Sequence, residues 1–296
     1  MSGKLKEVRI RMKSVKSTQQ ITKAMKMVSA AKLRKATDSI VQIRPYADKL
    51  KEILTHILTN LKGDVNTSFG RKREVENALI VVVTSNRGLC GAFNTNIIKN
   101  AVDLIENKYA SQRSEGNLHI MPIGKKGNDF LKRRYSDCTI IDDYIDLFKD
   151  LSFDQTSIVP QMIMDAFEAS TYDVVQVIYG QFKNAATQFP VTVQYLPVPR
   201  IEKKEKKKRR ADYIFEPEKD SLLETLIPNI LKIQFQKFLL DTQASEHGAR
   251  MTAMDKATEN AEELLKELRI NYNKARQEAI TSELSEIVGG AAALEG

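Results

Sequence analysis

From Leu5 onward, apolar residues recur alternately three and four positions apart. The run takes in Leu5, Val8, Met12, Val15, Leu33, Ala36, Ile40, Ile43, Ala47, Leu50, Leu54, Ile57 and Leu61, with only Gln19, Thr22, Lys26 and Ser29 polar at the stripe positions. The C-terminal end repeats the pattern through Leu226, Ile230, Ile233, Leu240, Ala244, Met251, Met254, Ala261, Leu265, Leu268, Tyr272, Ala275 and Ala279, with only Lys237, His247 and Thr258 polar at the stripe positions. A 3.5-residue apolar period held over many heptads is the seam of a left-handed coiled coil. At ~1.5 Å per residue the two helices would run about 90 and 100 Å, too long for a compact domain. The pattern therefore predicts one chain folding back on itself, its terminal helices paired antiparallel and the middle of the chain carried between them.

Two irregularities modify this expectation. Where the first stripe turns polar, Ile21, Met25 and Val28 stand ready to take over, so the buried face is expected to rotate between Gln19 and Ser29. Pro45 lacks an amide hydrogen and should bend the first helix near Val41. The first helix is expected over residues 3–61. The second starts near Ser221, where Glu224 completes a capping box, and its pattern stops at Gly289-Gly290.

The middle of the chain has a different rhythm. ALIVVVT (78–84), LHIMPIG (118–124), CTII (138–141) and DVVQVIYG (173–180) read as short strands, separated by helical stretches at about 94–111, 130–134 and 155–170. Alternating strands and helices indicate an α/β domain with a largely parallel sheet. Residues 182–198 read as one more strand, antiparallel because its link is short. The resulting division is 1–62 for the first helix, 75–198 for the α/β domain, 199–217 for a basic linker and 218–296 for the second helix.

Charge sharpens the pairing. The chain carries 46 Lys and Arg against 38 Asp and Glu. The first 36 residues hold nearly all of one sign, with Glu7 as their single acid, whereas acids outnumber bases after residue 218. Helices of opposite charge favour each other over self-association. The basic, acid-poor start imitates a transit peptide, but its stripe continues in register to Leu61 and reads as mature structure. Cys90 and Cys138 make neither a disulfide framework nor a metal site. No apolar run approaches the ~20 residues of a membrane span.

Chemistry is sparse. SNRGLCGAFN (85–94) lies where an α/β fold cradles phosphate, yet Gly88 and Gly91 do not form a dinucleotide fingerprint, so a tight turn is the stronger reading. His56, His119 and His247 are far apart and read as structural. No catalytic residue, cofactor or metal ligand is expected. The basic first helix also admits a scaffold or nucleic-acid-binding reading, but its cations surround the helix and no aromatic residue interleaves before Tyr46.

The segments KLKEVRIRMKSVKSTQQITKAMKMVSAAKLRKA and ASEHGARMTAMDKATENAEELLKELRINYNKARQEAITSELSEIVGGAAAL, with TSNRGLCGAFN between them, resemble the gamma subunit of F-type ATP synthases. The resemblance covers essentially the whole chain. It implies an α+β architecture, a long antiparallel two-helix coiled coil with an inserted Rossmann-like α/β domain. It further implies a central-stalk rotor that carries c-ring rotation into the ring of alpha and beta subunits and has no catalytic site or cofactor of its own. The implied partners are the alpha and beta subunits, the epsilon subunit and the c-ring, without nucleic acid. Membrane association would be peripheral, at the cytoplasmic face of a bacterial inner membrane, through the c-ring. By position in the family motifs, Met25, Lys26, Arg250, Gln277, Thr281 and Glu283 are implied to contact the beta subunit, and Tyr213 and Glu216 the epsilon subunit and c-ring. The basic run at 203–210 has no counterpart in the resemblance; its attraction to anionic lipid headgroups is an expectation from charge alone.

Overall fold

The computed structural model describes residues 3–60, 68–70, 73–198 and 219–295. Both stripes form helices: α1 over Gly3–Asn60 and α6 over Lys219–Glu295. Between them lie β1 (Ala78–Val83), α2 (Phe93–Asp103), α3 (Ala110–Ser114), β2 (Leu118–Ile123), α4 (Lys125–Arg134), β3 (Thr139–Ile140), α5 (Phe153–Glu168), β4 (Val174–Phe182) and β5 (Gln188–Leu196). The chain divides into two compact units. One comprises α1 up to Ala30 and α6 from Arg250 onward; the other is Ala31–Ala249.

In the larger unit the strands order β3-β2-β1-β4-β5, parallel except for the β4–β5 hairpin. β1 is buried at every position, which is why its sequence is continuous Ala-Leu-Ile-Val-Val-Val and not alternating. Its side chains still sort by parity. Leu79, Val81 and Val83 enter a core with α5 and with Leu231, Phe235, Phe238 and Leu239 of α6. Ala78, Ile80 and Val82 enter a second core with Phe93, Ile97 and Ala101 of α2 and Leu131 of α4. The expected extra strand is present and antiparallel. Its tight link is closed by Asn184, whose Oδ1 accepts from the amides of Ala186 and Thr187 at 3.0 and 2.7 Å. Beside the sheet, Ala36 and Ile40 of α1 pack on Leu240 and Ala244 of α6.

Several expectations need correction. The stretch at 94–111 is not one α-helix: a π-helical turn at Leu104–Lys108 widens it, and Tyr109 ends it in a non-helical conformation. The turn leaves Tyr109 buried, with its hydroxyl accepting from Gln176 at 3.1 Å. The second long helix begins two residues before Ser221, so that serine lies inside the helix and not at its cap. Gly289-Gly290 does not end it either; the helix continues to Glu295. Two glycines cost only ~2 kcal/mol of helix propensity, too little to terminate a long helix on their own. Helix also continues through Pro45 and Pro228.

Candidate functional site

The smaller unit is a pair of helices whose contacts climb one strand of the seam as they descend the other. Lys4 bonds Glu278 at 3.0 Å, the Arg9 guanidinium reaches the Tyr272 hydroxyl at 3.0 Å, Thr22 meets Thr258 at 2.8 Å, and Lys26 meets Asp255 at 2.5 Å. As position rises from 4 to 26, the partner falls from 278 to 255, which fixes an antiparallel register. Leu5, Ala261, Leu265, Leu268 and Ala275 supply the buried apolar faces.

The polar interruption does not rotate this face. Ile21 and Val28 remain 57% and 56% exposed, while Thr22 and Ser29 are buried on the original stripe. The reason is local hydrogen bonding. The Thr258 hydroxyl lies 2.7 Å from the carbonyl of Met254 and the Thr22 hydroxyl 3.0 Å from that of Gln19, and the two hydroxyl oxygens meet 2.8 Å apart across the seam. The buried Thr22 hydroxyl is thereby satisfied without leaving the seam. Lys26, half-exposed at the seam's flank, places its ammonium on Asp255. At the outer end, the bond from Lys4 holds the Glu278 carboxyl below its usual range.

The residues implied by resemblance fall into three groups. Gln277, Thr281 and Glu283 are exposed on α6, and Met25 is half-buried on α1. Lys26 is engaged by Asp255, and Arg250 is only 7% exposed. Tyr213, Glu216 and the run at 203–210 lie outside the described residues. Asp255 was not singled out from sequence, and Thr258 was read only as a position of the second stripe, without its partner. The available signal was a polar stripe position, Thr258, in the C-terminal helix, facing the polar stretch of the first.

The other place where this fold could carry chemistry is the carboxyl edge of the sheet, where strand order reverses between β1 and β4 and α/β proteins bind ligands. Here that crevice is filled by the chain itself. A Cβ on Gly180 of β4 would stand 2.6 Å from the Phe93 ring and 3.4 Å from Ser245 of α6. The Gly180 amide donates to Thr242 at 3.3 Å, and Ser245 donates to the Gly180 carbonyl at 3.0 Å. The neighbouring helix start is also spoken for. The amides of Lys125, Lys126 and Gly127 donate to the Asn86 side chain, the Ser85 carbonyl and the Thr84 hydroxyl respectively. The loop at 85–94 is the expected tight turn, tied by Asn94, which donates to Ser85 Oγ at 2.8 Å and accepts from the Ser85 amide at 3.0 Å.

Among the histidines, His119 has its Nδ1 2.9 Å from the Tyr172 hydroxyl, and burial lowers its pKa. No group of metal-ligating side chains occurs among the described residues. No described helix is long and apolar enough to cross a membrane.

Comparison with known proteins agrees with this architecture. A family model described as "ATP synthase" matches residues 4–294. The chain is 51% identical over 292 residues to the ATP synthase gamma chain of Cytophaga hutchinsonii, covering 98% of each. It is 52% identical over 292 residues to that of Flavobacterium psychrophilum, covering 99% of each. Among solved structures, a chain of the Euglena gracilis mitochondrial ATP synthase, in its OSCP/F1/c-ring assembly, superposes with a TM-score of 0.68 at 23% identity, over 99% of this chain and 95% of that one.

Proposed function

The chain belongs to the family of ATP synthase gamma chains, and from that premise we propose how its parts divide the rotor's work. As a gamma chain it is the rotor of the central stalk, coupling ion flow to the complex's ATP synthesis by rotation. In our reading the helix pair of the smaller unit enters the ring of alpha and beta subunits, and the sheet domain is the foot that meets the epsilon subunit and the c-ring. The single observation that carries this division is the in-register antiparallel seam from Lys4–Glu278 to Lys26–Asp255, joined through continuous helices to a sheet domain whose ligand crevice is filled.

The torque path follows from α6. Its first half is a layer of the sheet domain, through Leu231, Phe235 and Phe238, and its backbone continues without a break into the helix pair. A helix with residues in both units gives rotation of the sheet domain a continuous backbone route into the pair. The exposed Gln277, Thr281 and Glu283, with Met25, are the residues we assign to contacts with the beta subunit. ATP is then made on the partner, and this chain supplies no catalytic group. Each angle of an asymmetric shaft favours a different state of each beta site, which is coupling by differential contact. The complex would sit at the cytoplasmic face of a bacterial membrane, and this chain would associate with that membrane only through the c-ring.

The test is reconstitution. Purified chain mixed with alpha and beta subunits should form a complex whose ATP hydrolysis turns a bead attached to the sheet domain. A complex that hydrolyses ATP with a stationary bead, or no complex at all, refutes the assignment. Salt-sensitive DNA binding by the free chain would instead favour a nucleic-acid role.

A further inference from the structure

We propose that Lys26 and Asp255, with the Thr22–Thr258 hydrogen bond one turn away, form a shear clamp that holds the two helices in a single register. This inference rests on the rotor reading and deepens it. The resemblance points Lys26 toward the beta subunit; the geometry gives its ammonium to Asp255 at 2.5 Å within the same chain. The two side chains are 42% and 44% exposed. An ion pair so wet adds little to stability. Its value lies in selection. Leu5, Leu265 and Leu268 bury apolar surface with no directional preference. Apolar burial alone therefore discriminates poorly between neighbouring registers.

Thr22 and Lys26 add the missing direction. Only one axial setting brings a hydroxyl to a hydroxyl and an ammonium to a carboxylate together; sliding takes Thr258 away from Thr22, which keeps only the Gln19 carbonyl of its own helix, and takes Asp255 away from Lys26. A polar layer in an apolar seam is the best-attested device for fixing coiled-coil register. In a shaft under torque, one helix is driven along the other, so resistance to sliding bears directly on coupling. Asp255 is on this account a positioning residue, acting through Lys26 on the placement of α1.

The test is charge exchange in the full chain: K26D, D255K, and the double variant K26D/D255K. Two readouts are taken. Amide hydrogen exchange across residues 15–30 is measured on the chain alone, and ion pumping per ATP hydrolysed on the assembled enzyme in vesicles. Each single reversal sets like charges side by side and should speed exchange roughly five- to thirtyfold, the factor for about 1–2 kcal/mol at a solvated site. Pumping per ATP should fall while hydrolysis persists, and the exchanged pair should restore both readouts to within about twofold of wild type. A double variant no better than K26D would mean that Lys26 answers to a partner subunit, and would overturn the clamp. Silent single variants would overturn it equally. If the wild-type enzyme itself fails to pump, the rotor reading falls, and the exchange measurement on the chain alone still judges the clamp.

Discussion

Gly180→Ala is the sharpest probe of how the sheet domain is joined to α6. The added methyl would lie 2.6 Å from Cε2 and 3.0 Å from Cζ of Phe93, where ordinary contacts are 3.4 Å or more. Neither side can give way easily. Phe93 is packed in a core with Cys90 and Ile97, and Gly180 is held on both backbone groups by Thr242 and Ser245. The backbone of Gly180 is ordinary strand, without a positive φ, so the penalty is steric and not conformational. Overpacking of this kind costs about 1–3 kcal/mol, offset by the ~0.5–1 kcal/mol that alanine gains over glycine in a strand. A net loss of about 1–2 kcal/mol is expected. Urea unfolding followed by near-ultraviolet circular dichroism reads the tyrosine-rich sheet domain and avoids the strong far-ultraviolet signal of the long helices. Phe93→Leu in the Gly180→Ala background should recover part of the loss, with a coupling of at least ~0.5 kcal/mol in the double-mutant cycle. Gly180→Ala within about 0.5 kcal/mol of wild type, or a penalty indifferent to residue 93, would refute the filled crevice.

Other outcomes follow from the same packing. Tyr195→Phe removes the buried hydroxyl that donates to the Leu231 carbonyl at 2.8 Å, and should cost about 0.5–1.5 kcal/mol in the same unfolding assay. Gly124→Ala faces a φ of +98° and places a methyl 2.2 Å from the Thr84 carbonyl, so circular dichroism should report loss of the folded sheet domain and not a mild shift. For His119 the folded pKa is depressed by burial, so its contribution is fully present above about 6.5 and is lost as pH falls through the lower folded value. Melting curves between pH 8 and 5 should show a decline in wild type that His119→Gln removes. Glu106, held low by its bond from Arg134, Asp137, held low by Arg113, and Asp142, held low by Lys132, act in the same direction at more acid pH. Raising salt should shrink that last loss, because these pairs are exposed.

The amino-acid order by itself determined the two seams, the identity of nearly every strand and the antiparallel sense of the last one. These depend on periodicity and local turn chemistry, which any short window of the chain contains. It also contained, without declaring it, the second apolar face of α6. Leu231, Phe235, Phe238 and Leu239 lie off the 3.5-residue stripe, and only the sheet shows what they cover. The polar stretch of α1 is the clearest case of the opposite kind. Periodicity weighs residues one at a time, so Thr22 and Ser29 looked unfit for a seam and Ile21 and Val28 looked fit. For Thr22 tertiary structure reversed this because its hydroxyl can be buried between the Gln19 carbonyl of its own helix and an opposing hydroxyl, Thr258, 236 residues away. The pairing of Lys26 with Asp255, the filling of the crevice by Phe93 and the place of α6 in the sheet domain are likewise decisions of the folded chain. Each depends on two groups distant in sequence being brought within a few ångströms, a relation that no single window of sequence holds.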